Sequence, residues 1–142
     1  MRQSAFWVCA IIALFAVGCT TVQANIASQC RVAASSHPVV GCWESKVAGE
    51  GWATNTGLKG DLFVNIEKVT GNKVEGKLYI QHVRGSSYHN QWLSFVGTLT
   101  GEDFEFTVSS FIAARLVVSD NEMNGRGVGT ASSTLSLKKI GT

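Results

Sequence analysis

The 142-residue chain is predicted to be all-β and to form an eight-stranded antiparallel barrel with up-and-down topology. Two features of the sequence predict this fold. From Pro38 onward, apolar and polar residues alternate with a period of two, which is typical of strands that bury one face. Short turns rich in Gly, Asn and Asp separate these segments, and a meander of eight strands removes its edges by closing. A two-sheet β-sandwich is the alternative fold.

The first half of this region contains three predicted strands. VVGCWESKV (39–47) is the first, and a Gly-rich connection (49–60) leads to DLFVNIEKV (61–69), in which apolar residues occupy alternate positions. The Gly-Asn pair of the next turn favours a hairpin, so VEGKLYIQHV (74–83) is predicted to pair with the strand before it. A longer polar loop, RGSSYHNQ (84–91), then follows.

The second half contains five more predicted strands. WLSFVGTL (92–99) and FEFTV (104–108) flank the turn TGED, and AARLVV (113–118) and MNGRGVGT (123–130) flank the turn SDNE. TLSLKKI (134–140) is the last strand. The total of eight strands gives a barrel whose interior is either filled by side chains or holds one small ligand.

Polar residues on one face of the strands exclude a membrane barrel, because such a barrel needs a continuous apolar outer row. The residues expected to face water are Asn65, Glu67, Glu75, Lys77, Gln81 and Glu105. Arg115 is also expected to face water, because Leu116 and Val118 on the opposite face are the better core residues. Glycines inside strands indicate bends that let a sheet curl. These are Gly76, Gly97, Gly125 and Gly127.

The N-terminal residues are predicted to be a signal peptide. Arg2 precedes an apolar stretch of 12 residues, which is the length of a signal h-region and too short for a membrane span. AVGC at 16–19 resembles a bacterial lipobox, and this resemblance implies a signal peptide of residues 1–18 and lipidation of Cys19. The alternative cleavage follows VQA, removes residues 1–24 and leaves a soluble periplasmic or secreted protein.

The same resemblance implies a location. Thr20 follows the lipobox cysteine at the position where Asp favours inner-membrane retention, so the lipoprotein is expected at the periplasmic face of the outer membrane. Residues 19–37 are small, polar and aperiodic, and they predict a flexible tether. Residues 38–142 are then the barrel domain.

Cys30 and Cys42 are the cysteines that remain after signal removal and lipidation. An even pair in an exported protein indicates a disulfide, which would join the tether to the first strand. Two cysteines without a CxxC motif or a well-placed His pair do not indicate a zinc site. No metal or cofactor is therefore expected.

The charge distribution excludes nucleic acid as a partner. The chain has 12 Lys and Arg against 10 Asp and Glu, for a net charge of +2. Beyond Lys138-Lys139 these residues form no basic cluster, which is the footprint that phosphate backbones require.

The first strand carries a G-x-W motif, GCW at 41–43, which resembles the start of the calycin proteins, a group of lipocalins, avidins and fatty-acid-binding proteins. The resemblance implies a small β-barrel in which this tryptophan closes one end and a basic residue of a late strand packs across it. Lys138, Lys139 and Arg126 are the candidates for that residue. The resemblance also implies a ligand held inside the barrel.

Aromatic and amide side chains are the candidate binding residues, because rings supply contact area and amides supply oriented hydrogen bonds. The loop GSSYHNQW is the richest in them. The candidate ligand-binding residues are Trp43, Trp52, Tyr79, Tyr88, His89 and Trp92. The sequence contains no Gly-x-Ser-x-Gly elbow, and the spacing of its histidines is poor for a metal, so no catalytic residues and no enzyme activity are expected.

The sequence thus predicts an exported, lipid-anchored, non-catalytic protein that holds a small apolar or amphipathic ligand in its barrel. The alternative is an envelope protein-binding factor, such as an inhibitor of a lysozyme-type hydrolase, because small periplasmic lysozyme inhibitors resemble this chain in size, lipobox and disulfide. A purely structural envelope lipoprotein is the third hypothesis. A carrier requires a cavity of roughly 300 Å3 or more, whereas an inhibitor requires a filled barrel and an exposed loop, for which residues 84–92 are the candidate.

Overall fold

The computed structural model describes nine strands and one helical turn. The described residues are 26, 28–30, 35, 37–47, 52–53, 59–82, 90–109, 112–128 and 134–141. The strands are β1 (Gly41–Ser45), β2 (Trp52–Ala53), β3 (Lys59–Thr70), β4 (Lys73–His82), β5 (Trp92–Thr100), β6 (Asp103–Ser109), β7 (Ile112–Ser119), β8 (Glu122–Val128) and β9 (Thr134–Gly141). In this part of the chain no helix is long and apolar enough to cross a membrane.

The strands close into an eight-stranded antiparallel barrel. Their order is β1-β9-β8-β7-β6-β5-β4-β3-β2, and β1 also pairs with β3, which joins the two edges of the sheet. The predicted all-β fold and the up-and-down barrel are confirmed, and closure rules out the sandwich alternative. The eight predicted strands correspond to β1 and β3–β9. The two-residue β2, which pairs with the start of β3, lies in the connection that was expected to be irregular.

Tight turns lie at one end of the barrel. The β3–β4, β5–β6 and β7–β8 turns each contain a residue with φ between 52° and 62°, namely Gly71, Gly101 and Asp120. Adjacent hairpins also bond to one another here, as the Leu99 N–H donates to the Asn72 carbonyl at 2.8 Å. We call this the tight-turn end. The other connections leave from the opposite end, because successive strands alternate in direction, and most of their residues lie outside the described part of the chain.

Large apolar side chains fill the interior along the described strands. Nine of them have no surface accessible to water, so no cavity large enough for a water molecule adjoins them: Trp43, Leu62, Val64, Ile66, Val74, Leu78, Met123, Leu135 and Leu137. Phe95, Phe104 and Phe106 pack together with ring centroids 4.9–6.1 Å apart. Because an eight-stranded barrel is only wide enough for its own side chains or one small ligand, this packing occupies the space around these residues.

Three of the predicted strand glycines, Gly76, Gly97 and Gly125, allow neighbouring backbones to approach closely. A Cβ atom on Gly76 would collide with the carbonyl oxygen of Asn65, and one on Gly125 would collide with that of Arg115. These positions are therefore restricted to glycine by backbone packing between strands, as expected for a strongly curled sheet.

The outer face differs from the sequence-based expectation at one place. Arg115 faces water, as predicted, and its side chain is 62% exposed. Asn65, however, was expected in the water-facing row and is only 5% exposed, and its outward neighbour Phe63 is 1% exposed. For Asn65 the reason lies in the predicted tether, where Cys30 is 8% exposed and is disulfide-bonded to Cys42, the cross-strand neighbour of Asn65.

Candidate functional site

Trp43 occupies the barrel interior and is fully buried. Its indole Nε1–H donates a hydrogen bond to the Val39 carbonyl at 3.0 Å, which satisfies the one polar atom of the ring. The Lys139 ammonium lies 5.6 Å from the ring centroid and donates to the Pro38 carbonyl at 2.7 Å. Of the three basic residues considered for this position, Lys139 is the one that packs across the tryptophan.

Gly41 makes this arrangement possible. A Cβ atom there would lie 2.5 Å from the Gly141 carbonyl oxygen and 2.7 Å from Lys139 Cε, and the residue has φ +140°, which favours glycine. The lysine stem can therefore cross β1 only because position 41 lacks a side chain. Burial lowers the pKa of the Lys139 ammonium. Trp43 and Lys139 together close this part of the barrel and leave no ligand space around the indole.

A second aromatic cluster lies on the outer face of the barrel. Tyr79 on β4 pairs with Phe63 on β3 and with Trp92 on β5, and the ring centroids are 6.5 Å and 5.4 Å apart. Tyr79 and Trp92 are half-buried, and burial raises the pKa of the tyrosine hydroxyl. The Trp92 Nε1–H donates to Gln29 Oε1 at 3.1 Å. We call residues 26 and 28–30 the N-terminal segment, and through Gln29 this segment contacts the cluster directly.

A disulfide joins Cys30 to Cys42, with a Cα–Cα distance of 5.8 Å, as the cysteine pairing predicted. Cys42 points outward from β1, opposite the buried Asn65 on β3. The Cys30 N–H donates to the Ile26 carbonyl at 3.2 Å in a short helical turn. This part of the N-terminal segment is therefore attached to the barrel by a covalent bond as well as by side-chain contacts.

Of the predicted binding residues, those whose side chains the structure describes lie in two separate places. Tyr79 and Trp92 lie together on the outer face, whereas Trp43 is buried inside the barrel. The backbone of Trp52 pairs with Gly60 at the start of β3. Three further residues with predicted roles lie outside the described part of the chain: Tyr88, His89 and the lipidation candidate Cys19.

A groove on the opposite side of the barrel was not predicted. It is an open depression of about 590 Å3 over β6, β7, β8 and the start of β9, and we call it the β6–β9 groove. Its lining residues are Asp103, Glu105, Arg115, Leu116, Val117, Asn124, Gly125, Arg126 and Thr134. Val117 lies within it and is 46% exposed, one of three exposed large apolar side chains among the described residues.

The charges of the groove are only partly neutralised. Arg115 Nε lies 3.0 Å from Glu105 Oε1, and on its other side Arg115 is the direct cross-strand neighbour of Arg126. Neither Arg126 nor Asp103 makes an ion pair with any residue that the structure describes. They do not pair with each other, because β7 separates their strands by two strand spacings, roughly 10 Å, and the register offsets them by two further residues along the strands. The groove thus has an acidic rim on β6 and a basic rim on β8.

Sequence reasoning missed this groove because no motif marks it. Asp103 and Arg126 lie on different hairpins, and the strand register alone brings them to one face. The only available signal was the like-charged pair Arg115 and Arg126, which becomes visible once the β7–β8 hairpin is aligned about its turn. Like charges directly opposite each other are unfavourable in a sheet, and here the ion pair of Arg115 with Glu105 offsets part of that repulsion.

The groove is lined by charged, polar and apolar side chains. Within the described residues, no group of three or more His, Cys, Asp or Glu side chains is arranged to hold a metal ion. The groove instead offers two opposite charges, the amide of Asn124, the hydroxyl of Thr134 and the exposed Val117. Comparison of the chain with protein-family models, with curated proteins and with solved structures finds no match.

Proposed function

We propose that the protein is an exported, non-catalytic binding protein that contacts a protein partner through the β6–β9 groove. A lipid on Cys19 holds it at the periplasmic face of the outer membrane. The partner class we propose is an envelope or secreted hydrolase, for which this protein would be an inhibitor, because the chain resembles small periplasmic lysozyme inhibitors in size, lipobox and disulfide. The disulfide between Cys30 and Cys42 supports export, since such bonds persist in oxidising compartments.

The observation that carries this proposal is the pair of rim charges, Asp103 and Arg126, that make no ion pair within the described part of the chain. A protein surface presents carboxylate, amine and apolar groups side by side, so it can pair with Arg126, with Asp103 and with Val117 at the same time. Charge-assisted hydrogen bonds of this kind are stronger than neutral ones, and complementary charges set the orientation of a partner. A small apolar ligand would leave both rim charges unpaired.

The packing of the barrel supports a surface site over an interior one. A ligand-sized cavity has a volume of roughly 300 Å3 or more. Nine interior side chains distributed over β1, β3, β4, β8 and β9 have no accessible surface, so such a cavity cannot border any of them. The carrier function expected from the calycin resemblance would therefore require a cavity that is bordered by other residues.

Photo-crosslinking in the producing cell tests the proposal. A benzophenone amino acid is placed at Val117 in the groove or at Val96 on β5, a valine of similar exposure, 56% against 46%, that does not line the groove. Irradiation is expected to give a discrete protein adduct from position 117 and none from position 96. Mass spectrometry of the adduct then identifies the partner.

Two charge reversals, one at the rim of the groove and one outside the groove, provide a matched test and control for this experiment. Arg126→Asp is expected to reduce the yield of adduct at least about tenfold, because a hydrogen bond to a charged group contributes roughly 1.5–3 kcal/mol. Lys68→Asp makes the same change of charge on β3, outside the groove, and is expected to leave the adduct intact. Three results would each overturn the proposal: equal adduct yields at the two valines, no adduct at position 117, or an adduct yield at position 117 that Arg126→Asp leaves unchanged. A complete lack of adducts would favour a purely structural lipoprotein.

A further inference from the structure

We infer that the N-terminal segment orients the anchored barrel, so that its β3–β5 side faces the lipid surface and the β6–β9 groove faces away from it. This inference rests on the lipid anchor of the proposed function. It concerns the surface that meets the membrane, which is the outer face carrying Tyr79 and Trp92.

Two attachments hold the N-terminal segment against the barrel. The disulfide ties Cys30 to Cys42 on β1, and the hydrogen bond from Trp92 on β5 reaches Gln29. Ile26, at the start of the helical turn, is 4% exposed. These two contacts place Gln29 and Cys30 over the outer face between β1 and β5, so the chain is tied to the barrel before the first strand begins.

This attachment shortens the reach of the anchor. Ile26 follows Cys19 by seven residues, and an extended chain of that length spans at most about 25 Å. If residues 19–37 were all a free tether, the barrel could move about 70 Å from the membrane. A lipid on Cys19 therefore holds the barrel close to the bilayer and by one particular side.

The order of the strands shows which side is opposite. Around the closed barrel the strands run β1, β3, β4, β5, β6, β7, β8, β9 and back to β1. The attachments on β1 and β5 are centred between β3 and β4. Four strands further round an eight-stranded ring, diametrically opposite, lies the boundary between β7 and β8, which is the middle of the groove. A barrel held by its β3–β4 side therefore presents the groove to the periplasm.

The chemistry of the near side suits the headgroup region of a bilayer. Tyr79 and Trp92 are half-buried amphipathic rings on the outer face. Such rings are enriched where an apolar phase meets water, because one part of the ring is apolar and another makes hydrogen bonds. Charged side chains lie on both sides: Glu67, Glu75 and Lys77 on the near side, and the rims of the groove on the far side.

Fluorescence quenching on vesicles tests the orientation. The acylated protein is reconstituted into phosphatidylethanolamine and phosphatidylglycerol vesicles that contain a lipid with a quencher on its headgroup. A fluorophore is attached at Lys77→Cys on β4 or at Asn124→Cys on β8, two exposed positions four strands apart around the barrel. The Lys77 label is expected to be quenched more strongly than the Asn124 label.

Two variants that loosen the attachment of the barrel to the lipid anchor provide the controls. Insertion of 12 Gly and Ser residues (a length chosen to add about 40 Å of reach) after Ala24 leaves every barrel contact in place, and Cys30→Ala with Cys42→Ala removes the covalent attachment. Each is expected to abolish the difference between the two labels. Quenching that is equal at both positions, stronger at Asn124, or unaffected by the insertion would refute the orientation. Flotation of the protein with the vesicles is measured first, since a protein that does not float lacks the anchor itself and refutes the inference for that separate reason.

Discussion

At the scale of single residues, the G-x-W motif is explained by three side chains that depend on one another. Trp43 fills the barrel, Lys139 covers its ring, and Gly41 leaves the space through which the lysine stem passes. The motif alone predicted a buried tryptophan at a closed barrel end, but three basic residues were equivalent candidates for its partner. Only the register of β1 against β9, with its irregularity between Cys42 and Trp43, places Lys139 there.

Replacement of Gly41 tests this dependence. Gly41→Ala is expected to lower the free energy of unfolding by about 3 kcal/mol, because the Cβ adds both backbone strain and a collision with β9. Gly101→Ala is the control: it also has a positive φ, but nothing lies within 4 Å of its Cβ, so a loss of about 1 kcal/mol is expected. Urea unfolding followed by circular dichroism measures both values. Equal losses would show that strain alone restricts Gly41 and that the space for Lys139 is unimportant.

At the scale of elements, the strands and turns could be predicted and the N-terminal turn could not. A strand repeats its pattern over several residues, and glycine-rich turns mark its ends, so β3–β9 were visible in the sequence. The turn that joins Ile26 to Cys30 is too short for a periodic pattern, so alternation does not reveal it. Its effect appears on β3, where Asn65 lies opposite the disulfide-bonded Cys42 and is buried on the face that alternation assigned to solvent.

Removal of the disulfide measures what this turn contributes. In the chain-entropy model, a bridge across 12 residues stabilises a domain by about 3 kcal/mol. The double variant Cys30→Ala and Cys42→Ala is expected to lose about that amount in urea unfolding. Its tryptophan emission is expected to shift to longer wavelength, because release of Gln29 exposes Trp92 to water. An unchanged midpoint and an unchanged spectrum would show that the segment stays docked without the bond and that the bond does not hold it.

At the scale of the whole molecule, the sequence supported the barrel but not its use. Eight alternating segments are sufficient to predict closure, because closure is the way a meander of that size loses its edges. Whether the interior is hollow depends on how Trp43, Phe95, Phe104 and Phe106 fit together, which alternation does not reveal. The groove depends on register between hairpins, so Asp103 and Arg126 had no sequence signal as a pair. The packing of the barrel therefore favours a binding site on its outer surface over one in its interior.

The central claim is that the barrel is filled and acts through its surface, and a native mass spectrum of the protein purified from its own host tests this most directly. The account predicts a single species with no small molecule retained. Its mass is expected to equal that of the chain from Cys19 onward plus the acyl chains, less two hydrogens for the disulfide. A species that carries a bound small molecule and releases it on collisional activation would contradict the account. It would show that the barrel is hollow and would restore the carrier function.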